Sequence, residues 1–435
     1  MAPPELPLEA QEHVLDHLHD DLKTLKSCSF VCRAWTRTTR LHLLGTIVLN
    51  TRCNAIRFLS LLEESDRIGT GVASCVRELE LPILGFPRRG KRSEMRCELL
   101  SSISRRLPVV EVLCVRRFNI TALMDYLHSD DEAFNMQDAL SSIFVFPHLK
   151  AIHYHGLEVM GINELLEFLG AFPTVSSLHA HNIDSRWDEP WPLETTAIQN
   201  FVAKRQQAPI SIEDIMGDLF SRSDELRKLL AALAVPPFEL RLKRLGWTIN
   251  GTSGWLPLLP MLLPVFRRAN ATLEYLELAF NANDVWLERL DLSNHRRLKS
   301  VSLTFRFTPE KHHQWPRVPV FLSRITSTDL QVVDLHFHSS KQPFLWEFFD
   351  WSALSDAFIA LRRKCPRMTV TFYFYIDAGH GVVIPGAIDP LRVRIAPVLA
   401  TGMRVVVDRR IVTKQVGLFA DRWIPIQSER GLLEA

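Results

Sequence analysis

One short pattern recurs along most of this chain: an apolar residue, two others, an apolar residue, one other, an apolar residue. It reads Val76-x-x-Leu79-x-Leu81, Val110-x-x-Leu113-x-Val115, Leu149-x-x-Ile152-x-Tyr154 and Val175-x-x-Leu178-x-Ala180. It returns as Leu242-x-x-Leu245-x-Trp247, Leu273-x-x-Leu276-x-Leu278, Leu298-x-x-Val301-x-Leu303 and Leu330-x-x-Val333-x-Leu335. A degraded copy follows at Met368-Thr-Val370-Thr-Phe372-Tyr-Phe374. The alternation closing each copy is the period-two signature of a short strand. A single unit of this kind cannot bury its own apolar face, so successive units must stack.

Helical patterns lie between copies, at residues 93–106, 161–171, 255–268 and 352–364. Several run into the next copy through a proline: Leu107-Pro108, Phe172-Pro173 and Cys365-Pro366. Proline ends a helix and starts an extended segment, so these are sensible boundaries. Strand plus helix, repeated, is an α/β architecture with a parallel sheet, and it resembles the leucine-rich-repeat horseshoe. The middle positions are 34, 39, 26, 67, 31, 25 and 32 residues apart. Regular repeats run about 20–29 residues, so an irregular array is expected.

The 67-residue gap is read as an insertion at about 185–240, with Trp187 and Trp191 on a proline-rich loop and helical patterns at 194–204 and 212–234. Past the last copy, 376–390 reads as a Gly/Pro-rich loop, 403–408 as a final strand and 415–435 as a cap or frayed tail. A plain α/β domain would share this periodicity, and no glycine-rich phosphate loop supports a nucleotide-binding version.

If the middle and last apolar residues of each copy point inward, their strand neighbours face out on the concave side. That places Glu78 and Glu80, His153 and His155, His179 and His181 there, followed by Thr248, Glu277, Ser302, Thr304 and Arg306, then Asp334, His336 and His338. Three copies therefore carry a His-x-His pair. Four imidazoles on neighbouring strands suit a transition metal, titration near neutral pH, or simply a polar solvated face. The solvated face is the ordinary outcome, and no metal or other cofactor is expected. His13 with His17 and Cys28 with Cys32 have i,i+4 spacing, but a buried cysteine packs as a small hydrophobe.

The first forty-odd residues differ in kind. Pro7 suits a helix start. Leu8, Val14, Leu15 and Leu18 lie near one helical face, and Asp20 and Asp21 offer carboxylates to cap a second helix. Leu22, Leu25, Cys28, Val31 and Cys32 recur at steps of three or four, and Trp35 extends the face. A module this small has little core of its own, so its stripes are expected to bury against something else. Arg33, Arg37 and Arg40 suggest a DNA-binding helix, but residues 1–45 hold five Lys/Arg against six Asp/Glu, and no Asn or Gln joins the arginine face.

The ordered run Leu6-Pro7-x-Glu9, Val14-Leu15-x-x-Leu18, Asp21-Leu22-x-x-Leu25 and Cys28-x-x-Val31-Cys32-x-x-Trp35 resembles the F-box motif. One departure is Ala10-Gln11, where the family usually carries apolar residues. The resemblance implies docking on a Skp-family adaptor, and through it a cullin, in a ubiquitin ligase. Leu6, Pro7, Val14, Leu15, Leu18, Leu22, Leu25, Val31 and Trp35 would fill that docking surface, with some of them serving as module core instead. The expected organisation is an F-box module over 1–48, a leucine-rich-repeat-like array over 49–375 and a C-terminal cap or tail over 376–435. F-box modules followed by divergent repeats commonly act as substrate receptors, with an unknown protein target on the concave face. An interaction scaffold with no ligase role is the alternative.

The chain's balance supports a protein partner. Its 51 Lys/Arg against 49 Asp/Glu give no electrostatic case for nucleic acid or an anionic membrane. The most apolar run, 256–266, is short of the roughly 20 residues a bilayer needs and holds three prolines. Seven cysteines, an odd number, with no secretory start, read as reduced thiols of a cytoplasmic or nuclear protein. The run Arg88-Arg89-Gly90-Lys91-Arg92 suits a solvated loop or an import signal. No nucleophile elbow, HExxH, Walker loop or GxGxxG occurs, so no enzyme activity is expected.

Overall fold

The structure is a computed structural model that describes residues 7–19, 21–82, 91–116, 136–159, 168–185, 209–219, 233, 238–249, 259–280, 287, 289–307, 317–339, 350–377, 388–416 and 421–433. The helices are α1 (Leu8–Asp16), α2 (Leu22–Cys28), α3 (Arg33–Leu44), α4 (Arg52–Ile68), α5 (Lys91–Arg105), α6 (Met136–Ile143), α7 (Leu259–Arg268), α8 (Arg317–Ser323), α9 (Trp351–Lys364), α10 (Ile388–Arg394) and α11 (Ala396–Leu399). The strands are β1 (Thr46–Val48), β2 (Glu78–Pro82), β3 (Val112–Arg116), β4 (Ala151–Val159), β5 (Ser177–Ser185), β6 (Ile210–Leu219), β7 (Phe238–Ile249), β8 (Tyr275–Phe280), β9 (Ser300–Phe307), β10 (Val332–Ser339), β11 (Thr369–Asp377), β12 (Arg404–Val416) and β13 (Asp421–Leu433).

The protein is thus mixed α/β with a 13-stranded, mostly parallel sheet whose strands pair in sequence order. The described parallel pairs end at β12, and β13 returns antiparallel. The chain forms two compact units, one of residues 1–178 and 184–210, the other of 179–183 and 211–435.

Local signals explain the element ends. Asp21 caps α2, its carboxylate accepting from the Thr24 N–H at 3.0 Å. That bond and the Thr24 hydroxyl hold the Asp21 carboxyl below the usual range, the hydroxyl contributing more. Thr51 caps α4 through Asn54 N–H, and Gly69 ends it at φ 68, a left-handed turn that glycine adopts without strain.

In the first unit, the middle residues of the repeated pattern lie in register: Leu79 beside Leu113, and Leu113 beside Ile152. In the second unit the row runs Leu245, Leu276, Val301, Val333, Val370 and Val405. Every member of both rows is buried. Full burial of such a side chain stabilises by about 1.5–3 kcal/mol, so these rows are the main cohesive term of each unit. Helices cover the face to which they point: Phe168 packs on Tyr154, and Trp351 and Phe358 of α9 pack on Phe372. The alternate residues form the opposite, open face.

In most copies the residue after the pattern's first apolar position is charged, and these residues pair from strand to strand. Glu111 lies 3.5 Å from Arg77 and 2.9 Å from Lys150, Glu213 lies 2.8 Å from Lys243, and Glu274 lies 2.7 Å from Lys299. Surface pairs of this kind are worth about 0–1 kcal/mol each, so they select register more than they stabilise it. Side chains also stitch successive turns: the Thr174, Thr272 and Ser327 hydroxyls donate to the carbonyls of Leu149, Leu242 and Leu298.

Two expectations need correction. Residues 212–234 were expected to be helical within an insertion, yet residues 210–219 are strand β6. Ile212-x-x-Ile215-x-Gly217 is a further copy of the pattern, and it splits the long gap into spacings of 37 and 30. Its third apolar position is a glycine, and the Trp247 ring lies 3.3 Å from where a Gly217 Cβ would sit. Trp247 supplies the missing bulk, so the copy lacks its own signal. At the C-terminus, 403–408 is not the final strand that was expected. Strand β12 continues to Val416 and β13 extends the sheet. The helical pattern at 194–204, Trp187, Trp191 and residues 88–90 lie outside the described residues.

Candidate functional site

Two regions hold the residues singled out by sequence. In the opening module, α1 is tied to α3 by three polar links. The Trp35 indole N–H donates to Gln11 Oε1 at 2.5 Å, the Thr38 hydroxyl to Glu12 at 3.4 Å, and His42 Nε2 lies 2.9 Å from Asp16 Oδ1. The departure at Gln11 thereby has a local role, since it holds the Trp35 ring half-buried. Leu15 and Leu25, 1% and 0% exposed, are sealed within the protein and are not surface groups. Leu18 is half-buried, Cys28 half-buried, and Pro7 and Cys32 exposed. Val14 (49% exposed), Leu22 (53%) and Val31 (63%) remain outside, joined by Phe30 at 87%, which the sequence reading missed. An exposed phenylalanine among other exposed apolar side chains has no packing reason in the module itself. Leu6 lies outside the described residues. Arg33 and Arg37 are exposed, whereas Arg40 donates to the Thr70 carbonyl at 3.3 Å.

The open face of the first unit satisfies itself. Glu80 takes Arg116 in a two-point pair at 2.7 and 3.1 Å. Glu78 accepts from the Thr46 hydroxyl at 3.1 Å. Between Glu80 and His153 in register stands Cys114, buried, its thiol pushed up to about 11 by burial first and the Glu80 charge second. A thiol so raised is no nucleophile at neutral pH. His153 and His155 are half-buried beside Cys114 and Arg116.

On the second unit's open face, His179 Nε2 lies 3.3 Å from Asp214 Oδ2. His336 stacks on Tyr373 at 4.3 Å and His338 on Tyr375 at 4.1 Å, both nearly parallel. His336 Nδ1 hydrogen-bonds the Tyr375 hydroxyl at 2.9 Å. The sequence reading placed both histidines on this face but passed over the tyrosines, although their alternation with Val370, Phe372 and Phe374 carries the same signal. Asp334 is half-buried and Glu277 exposed. Arg306 occupies the register position beside His338 on β9, and His181 and Thr248 lie on β5 and β7; the side chains of these three lie outside the description.

Among the described residues, no group of three or more His, Cys, Asp or Glu side chains is placed to hold a metal ion. The His13 and His17 rings meet edge to face at 4.7 Å, both exposed, His13 on α1 and His17 just past its end. The described cysteines are all free thiols. Among the described residues no helix is long and apolar enough to cross a membrane. No protein-family model matches the chain, and no curated protein matches it.

Proposed function

We propose that this protein is a substrate receptor of a Skp–cullin–F-box ubiquitin ligase, non-enzymatic, with the opening helices holding the adaptor and a leucine-rich-repeat horseshoe holding a target on its concave, open face. The observation that carries this reading is the exposure of Val14, Leu22, Phe30 and Val31 on a module whose Leu15 and Leu25 are buried. Several large apolar side chains left in solvent on a module of about forty residues support a surface meant for another polypeptide. The ordered F-box-like run over the same residues names the class of partner. Such a receptor works by proximity, raising the local concentration of its target near the ligase. A protein of this kind acts in the cytoplasm or nucleus.

The test is co-expression of the full chain with a Skp-family adaptor. Co-purification is expected, and it is expected to fail for Leu22→Asp combined with Phe30→Asp while thermal melting is unchanged. Absence of co-purification by the unaltered chain sinks the proposal and leaves the interaction-scaffold reading.

A further inference from the structure

Strands β9, β10, β11 and β12 are entered through four short segments, residues 293–299, 324–330, 362–368 and 400–404. These segments stack on one another. The Ser327 hydroxyl donates to the Arg296 and Leu298 carbonyls at 2.9 and 2.8 Å. The Cys365 thiol donates to the Ser327 carbonyl and Lys364 Nζ to the Ile325 carbonyl, both at 3.1 Å. Arg362 donates to the Gly402 carbonyl at 3.3 Å. The four segments therefore form one continuous edge of the second unit, about 14 Å across three strand spacings.

That edge is basic. The four segments hold nine Lys/Arg against a single acid, Asp329. Part of this charge is engaged: Lys299 pairs with Glu274 at 2.7 Å, and Arg362 and Lys364 hold the carbonyls just named. The last turn of α9 also favours cations, because a helix is negative at its carbonyl end. Neither reason covers Arg296, Arg297, Arg367 and Arg404, which lie outside the helices. Together with Arg363 they are exposed, and they make no side-chain hydrogen bond or ion pair with a described residue. The first unit treats its cations differently. There Glu63 and Asp66 hold Arg106, and Arg77 and Lys150 share Glu111. Like charges gathered without a counter-charge repel one another, so an anion supplied from outside stabilises the edge.

The side chains of the edge narrow the class of anion. None of its exposed residues is aromatic, so it offers no ring on which a nucleic-acid base can stack. None is a large apolar group of the kind that anchors in a bilayer interface. Guanidinium groups pair two-pronged with carboxylates, and about four residues of extended chain span the edge. We propose that this edge docks an acidic run of another polypeptide, with Arg296, Arg297, Arg363, Arg367 and Arg404 receiving its Asp and Glu carboxylates. The inference is independent of adaptor docking and of what the open face holds.

The test is fluorescence anisotropy on the full chain. The probes are fluorescein-labelled Glu-Asp-Glu-Asp-Glu-Asp-Glu-Asp and its amide counterpart, Gln-Asn-Gln-Asn-Gln-Asn-Gln-Asn. Saturable binding of the acidic peptide is expected at physiological salt, weakened about tenfold in about 0.5 M salt and lost for the amide peptide. Arg297→Gln combined with Arg367→Gln is expected to weaken binding by about tenfold or more, as removal of charge-assisted contacts implies. Arg57→Gln combined with Arg105→Gln removes two exposed cations from the first unit and is expected to bind as the unaltered chain does. All four positions are exposed, and circular dichroism checks that both variants stay folded. No binding of the acidic peptide, equal binding of the amide peptide, full binding by the Arg297/Arg367 variant or an equal loss in the first-unit variant overturns the proposal. Equal or tighter binding of labelled oligodeoxythymidine, or co-sedimentation with phosphatidylserine vesicles that the Arg297/Arg367 variant loses, also overturns it and assigns the edge to phosphates.

Discussion

On α2, Leu25 is completely enclosed while Leu22, one turn earlier, stands half in solvent. On β8, Leu276 and Leu278 are both sealed, and so are their register neighbours on β9. The two regions carry similar leucine-rich patterns and use them differently. A strand's pleat sends alternate residues to opposite faces, so period two divides core from surface sharply. A helix of two turns offers a broad stripe, and which edge of the stripe is covered depends on what packs there. The helical module is stitched to itself by polar groups, Gln11 to Trp35 and Asp16 to His42, which leaves apolar side chains available outside.

The largest effect that probes this contrast is expected at the sheet. Leu276→Ala should cost about 3 kcal/mol, the usual loss for a leucine in a packed row, read by chemical denaturation. A cost under about 1 kcal/mol would mean that the rows are not the cohesive element. Leu15→Ala should cost about 2–3 kcal/mol locally and loosen the module, whereas Val14→Ala, one residue away and half exposed, should stay within about 0.5 kcal/mol. Hydrogen exchange at α1–α3 measures both, and equal effects would erase the distinction between exposed and core positions.

A third, smaller effect concerns acid. His295 is buried against Phe266, with Nε2 3.2 Å from the Phe266 carbonyl. Burial holds its pKa below the usual value, and the carbonyl bond opposes this only in part. The unfolded chain therefore takes up a proton that the folded chain refuses. Stability should be intact above about pH 6.5 and fall as pH drops through that value. His295→Leu should flatten the melting temperature between about pH 7 and 5.5; an unchanged slope would assign the acid sensitivity elsewhere.

The smallest effect is expected at Glu277. Its folded pKa is raised, so the folded state keeps a proton that the unfolded state has already lost. Stability then falls as pH rises from the ordinary carboxylate range through the raised value. Glu277→Gln should raise the melting temperature by about 1–2 °C at neutral pH, discounted for solvent exposure, and by nothing below about pH 3. A destabilised variant would mean that the carboxylate is locally satisfied in the folded protein.

Sequence alone was enough for the strand rows. Leu79, Leu113 and Ile152, and Leu245 through Val333, carry a period that only a stacked parallel sheet can use, and all are buried in register. It also placed His336, His338 and Glu277 on the open face, because alternation fixes the face of every second residue. What only the tertiary structure decided was anything depending on a neighbour distant in sequence. Gly217 completes a core position because Trp247, on the next strand, covers it. Leu15 is buried and its neighbour Val14 exposed on a helix that packs against α3. Ser302 lies between Glu277 and Asp334, a juxtaposition set by register. Local patterns dictate how each residue faces its own element; the partners it meets there come from the packing of elements far apart in the chain.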